Sequence, residues 1–175
     1  MQSLLDMIAS TVVIVLYFFI FILLHELGHA AFYRMVSGSN GWKITMGIGK
    51  PIFQSDRFVI NSWFMMGGSC LSPGISKHIK LHRVLVSSGG FLVNTLLAIL
   101  FYIFWQQSLL DGTIHNLIPQ LLNIAMQFNV FLALTAIVPI VYPFGPARGK
   151  ASDGLRIYRA LFNKGCNCKD CNCGQ

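Results

Sequence analysis

The chain has 175 residues, of which 54% are hydrophobic and 11% charged, with a mean hydropathy of +0.61. That is too apolar for a soluble domain with one core and a charged surface. Its 13 Lys and Arg against 6 Asp and Glu give a net charge of +7, which a nucleic-acid binder could share. The positions of those charges, described below, argue instead for the margins of membrane spans and against a nucleic-acid partner.

A bilayer core of about 30 Å needs roughly 20 helical residues, and three apolar stretches reach that length: about 8–24, running on toward Met35, about 84–105, and about 117–142. The first has no Lys or Arg before its apolar run and no small-residue cleavage pattern, so it is expected to be a retained span and not a signal peptide. Ser37-Gly38-Ser39-Asn40 and Gly41 stop it. In residues 42–70 the short runs Trp42–Met46 and Phe58–Phe64, punctuated by Gly47, Gly49 and Pro51, predict a small β hairpin or sheet against the membrane; an irregular interfacial loop is the alternative. Residues 76–83 form a basic lead-in to the second span, which holds Gly89-Gly90 and Asn94. The third span ends among Pro139, Pro143 and Pro146, and an amphipathic helix is predicted from about Ser152 to Phe162. The expected fold class is therefore membrane α-helical: about three transmembrane helices, a small sheet between the first and second, one domain over residues 1–163, and a Cys-rich tail over 164–175.

All 13 basic residues lie either between spans one and two (Arg34, Lys43, Lys50, Arg57, Lys77, Lys80, Arg83) or after span three (Arg148, Lys150, Arg156, Arg159, Lys164, Lys169). Three crossings put both regions on one face, which the positive-inside rule makes cytoplasmic. The N-terminus is then outside.

Chemistry concentrates in His25-Glu26-Leu27-Gly28-His29, at the cytoplasmic end of the first span. Residues four apart share a helix face, so His25 and His29 present two imidazoles to one ion, with Glu26 beside them to act on a water that zinc activates. With 5 His in 175 residues, a given Glu has His both one before and three after it about once in a thousand by chance. Glu26 is the only Glu. Three ionisable groups at membrane depth are costly and usually functional.

Zinc requires a third protein ligand and one open position. With Glu26 reserved as base, Asp6, Asp56, Asp111, Asp153 and Asp170 are the candidate carboxylates. Topology places Asp6 and Asp111 on the wrong face. Asp170 lies in the tail, and Asp56 has no clear anchor. Asp153 returns to the correct face at a helix start and is favoured over Asp56 or a histidine.

The remaining candidates have plainer readings. His78 and His82 share the four-residue spacing but lack an adjacent Glu and sit among Lys77, Lys80 and Arg83, which suits a basic interfacial helix. His115 falls on the opposite face and is expected to be solvated. Cys70 is expected to be a buried or inert thiol. Cys166, Cys168, Cys171 and Cys173 are spaced to hold a soft metal such as zinc or copper(I), or else form an unstructured reduced tail.

These residues resemble the site-2 protease family of intramembrane zinc metalloproteases. The zinc motif closing a first span, the run Lys43–Pro51 with Trp63–Gly68, the Gly89-Gly90…Asn94 helix and Ser152-Asp153-Gly154 resemble that family's successive elements, in a minimal form without PDZ or CBS domains. The resemblance covers the chain to about residue 163. It implies a zinc endopeptidase with one catalytic ion, His25, His29 and Asp153 as ligands and Glu26 as base, cleaving a transmembrane protein or membrane-associated precursor peptide near the cytoplasmic face of a bacterial plasma membrane. Asn94 would bind substrate, or else make an interhelical hydrogen bond. The competing function is a non-enzymatic metal-handling membrane protein that uses the His pair and the Cys-rich tail.

Overall fold

The computed structural model describes residues 2–73, 80–110, 117–142 and 149–162. The elements run α1 (Gln2–Ser37), β1 (Lys43–Gln54), β2 (Phe58–Leu71), α2 (Lys80–Leu110), α3 (Leu117–Ile137) and α4 (Asp153–Phe162). His78, His115, Asp111, Asp170 and the four tail cysteines lie outside the described residues.

Three helices, α1 to α3, are long and apolar enough to cross a membrane. At 1.5 Å per residue, the 36 residues of α1 extend about 54 Å, well beyond a hydrocarbon core. Its N-terminal half exposes Leu4, Met7, Ile8, Val12, Leu16 and Ile20, apolar side chains that lipid would cover and water would not. Gly38 ends the helix with φ 65° and donates its N–H to the Arg34 carbonyl at 2.9 Å, the left-handed cap that glycine adopts without a Cβ penalty.

α2 touches all three other helices. It crosses α1 where Gly28 and Gly89 meet: a Cβ on either would collide with the other's main chain. Missing side chains therefore set how closely the helices approach. α1 and α3 meet through aromatic rings, with Phe18 edge-on to Phe128 at a centroid distance of 4.2 Å and Phe21 in tilted contact with Phe128.

The predicted sheet is present. Lys43–Met46 pair antiparallel with the end of β2 (Lys43↔Leu71, Thr45↔Ser69, Met46↔Gly68) and also align with its beginning (Ile44↔Phe58, Met46↔Ile60), so these residues have β2 on both edges. Gly47, at φ 72°, bends the chain where a Cβ would strike the Trp63 backbone. Ile44 and Met46 are fully buried and pack with Ile22 and Ala30 of α1, fixing the sheet against the helix that carries the His pair.

The third apolar run was expected to continue as helix toward residue 142, yet α3 stops at Ile137. Pro139 removes a donor and disfavours helical geometry at Val138. The chain continues extended and pairs with the segment before α4: Ser152 N–H donates to Ile140 O at 2.9 Å, Tyr142 N–H to Lys150 O at 3.0 Å, and Val141 bridges to Ala151. This return delivers Asp153 to the motif.

Candidate metal centre

His25 and His29 stand one turn apart on α1, with ring centroids 4.9 Å apart. His25 Nε2 lies 3.3 Å from His29 Nε2, and each lies 3.2 Å from Asp153 Oδ2. The three atoms form a nearly equilateral triangle whose corners are 128 and 4 residues apart in sequence.

Hydrogen bonding on the far sides of the rings fixes what these atoms offer. His29 Nδ1 lies 2.7 Å from Val86 O and His25 Nδ1 lies 3.3 Å from Asn94 Oδ1. A carbonyl or amide oxygen only accepts, so each Nδ1 is the N–H and each neutral ring turns an Nε2 lone pair inward. Two lone pairs and a carboxylate oxygen facing one another at 3.2–3.3 Å repel unless a cation lies between them. A tetrahedron with ligands about 2.0–2.1 Å from its centre has edges of about 3.3–3.4 Å, which matches the observed triangle. The residues therefore fit a metal ion, and His25, His29 and Asp153 form a group able to hold one.

The space for an ion comes from Gly90 on α2. A Cβ there would run into both His25 Nε2 and His29 Nε2. An alanine there would have to displace both rings or lever α2 off the Gly28–Gly89 crossing, whereas glycine leaves the imidazole nitrogens clear.

Asp153 is placed by its neighbours. Ser152, buried at 2% exposure, caps α4 by accepting from Leu155 N–H at 3.2 Å; its Oγ also accepts from Ile140 N–H at 3.1 Å and donates to Val138 O at 2.6 Å. Gly154 lies against Ile137, whose carbonyl oxygen a Cβ would overlap. The Ser-Asp-Gly run thus combines a cap, a ligand and a flush contact with the end of α3. Ser152→Ala removes the cap and strands buried groups, and is expected to cost about 2 kcal/mol. This would appear as a lower melting temperature of the purified protein in detergent; an unchanged melt would contradict the role given to Ser152.

An ionised carboxylate is the form a metal ligand needs, and Asp153 presents Oδ2 to both Nε2 atoms at 3.2 Å. Arg156, half exposed, lies 4.0 Å from Asp153 Oδ1, leaving Oδ2 to the two histidines. Of the alternative ligands, Asp56 lies in the exposed β1–β2 turn and is not part of the group.

Glu26 is 7% exposed and lies against β2, where a Cβ on Gly68 would come within 2.7 Å of Glu26 Cγ and 2.8 Å of Oε1. Its carboxylate thus lies against the strand at Gly68. Cys70 is half-buried in the same strand, and burial pushes its thiol up to about 11. It is a neutral thiol at physiological pH, in line with the inert role expected of it.

Of the two parts expected of Asn94, the interhelical hydrogen bond is present, from α2 to His25 of α1. It is 0% exposed and meets the Nδ1 side of His25, so the imidazole ring separates it from the three converging atoms. Val86, Gly90 and Ser152 were not singled out as site residues. Val86 contributes only a carbonyl, and Gly90 acts by lacking atoms, neither of which leaves a side-chain signal; Ser152 could have been recognised as the cap of the predicted helix. The chain matches no protein-family model, no curated protein and no solved structure.

Proposed function

We propose that this protein is an integral-membrane zinc endopeptidase of the site-2 protease type, cutting a peptide bond in or next to a transmembrane segment near the cytoplasmic face. The observation that carries the reading is the convergence of His25 Nε2, His29 Nε2 and Asp153 Oδ2 on one point, with the Glu26 carboxylate beside them. The length and apolarity of α1 to α3 support the membrane setting, and the distribution of Lys and Arg supports the orientation.

His25, His29 and Asp153 would hold the ion and leave a fourth position open. Zinc bound there would polarise a water and the scissile carbonyl. Glu26 takes the proton of the attacking water and returns it to the leaving amine. Its burial between β2 and α1 keeps the carboxylate away from bulk solvent.

Peptide substrates must be extended to be cut, and the sheet offers a place for that. Among the described residues, Gly68–Leu71 find strand partners only in Lys43–Met46. The other edge of this segment can take an extended peptide through main-chain hydrogen bonds. Gly68 brings that edge directly to Glu26.

The test is a comparison of membrane proteomes from cells carrying the wild type, Glu26→Gln, or a chain lacking residues 166–175. The proposal expects uncleaved membrane precursors to accumulate with Glu26→Gln and not with the tail deletion. The opposite pattern would favour a metal-handling role centred on the cysteines.

A further inference from the structure

We infer that Asn94 is a positioning residue of the metal centre: its amide oxygen takes the Nδ1 hydrogen of His25 and so holds that ring with Nε2 turned toward His29 and Asp153. The inference rests on the proposal that this cluster binds zinc.

Three observations carry it. The contact is specific, with Asn94 Oδ1 at 3.3 Å from His25 Nδ1. It is also the sole polar contact of a fully buried side chain among the described residues, because Asn94 Nδ2 has no hydrogen-bond partner. An interhelical packing site would be better served by leucine, which buries no unpaired amide group; the amide is explained by what its oxygen does for His25.

The third observation is the difference between the two histidines. His29 is oriented by a main-chain carbonyl, Val86 O, fixed by the fold of α2. Among the described residues His25 has no such carbonyl, and it is less buried than His29, so its ring is free to turn unless a side chain holds it. Asn94 stands one turn beyond Gly90 on α2, the helix that clears the space for the ion. The same helix therefore makes room for the metal and orients one of its ligands. Partners of this kind fix both the tautomer and the plane of a ligating histidine.

The test uses the full-length protein in detergent with zinc as the probe. Zinc affinity is measured by competition with a chromophoric chelator for the wild type, Asn94→Leu and Asn94→Asp, and the tautomer of the His25 ring is read in the metal-free chain by nitrogen-15 NMR. Asn94→Leu keeps the branched shape and loses the acceptor, and should weaken zinc binding by about 10–100-fold while mixing the two tautomers of His25. Asn94→Asp keeps the acceptor and should bind zinc at least as tightly as the wild type, which a packing role would not predict. Wild-type zinc affinity with an unshifted tautomer in Asn94→Leu overturns the inference. So does a wild-type His25 that carries its hydrogen on Nε2, a reading that needs no variant to fold. A wild type that binds no zinc would refute the proposed function, and the tautomer would still decide the role of Asn94.

Discussion

Glu26→Gln is expected to lower peptide cleavage by about 10²–10⁴-fold while the protein retains about one zinc per chain. Glu26 is not one of the three converging groups, so changing it leaves the ligand set intact. Glutamine has the same shape and fits beside Gly68, but it cannot take a proton from water. Turnover of an accumulated precursor, measured together with zinc content, checks this. Undiminished turnover would remove Glu26 from the chemistry, and lost zinc would show that the carboxylate serves the ion and not the water.

Gly90→Ala is expected to abolish zinc retention and activity together. One methyl group suffices because it would occupy the space in front of both imidazole nitrogens, and relief would require α2 to move away from α1. Such a movement would open the Gly28–Gly89 crossing and lose the close packing made there. Leu96→Ala, on the exposed face of α2, is the control and should keep zinc at the wild-type level. Full zinc occupancy in Gly90→Ala would mean that the ion lies elsewhere.

The parts of this molecule that depend on local pattern were readable from the chain alone. Four-residue spacing put His25 and His29 on one helix face, apolar run length gave three long helices, and β-prone runs broken by Gly47 and Gly49 gave the sheet. Choosing Asp153 required an added step, the parity of three crossings, which brings the end of the chain back to the face that holds the motif. The structure places Asp153 at 3.2 Å from both histidines.

What could not be read depends on close approach between distant segments. Nothing local distinguishes Gly90, which clears the metal position, from Gly89, which sets the helix crossing; each is defined by atoms of α1, more than 60 residues away. Pro139 marks a stop, but the pairing of Ile140–Tyr142 with Lys150–Ser152 is made largely by main-chain groups and carries little side-chain pattern. Asn94 was noticed as a polar residue in an apolar helix, which suggested a task without showing which partner it serves.

Whether two imidazoles and a carboxylate hold zinc is read from X-ray absorption at the zinc edge of the purified protein. A shell of nitrogen and oxygen at about 2.0–2.1 Å with no sulfur is expected, lost in Asp153→Ala and unaffected by removing residues 166–175. A shell of sulfur at about 2.3 Å that disappears with the tail would contradict it.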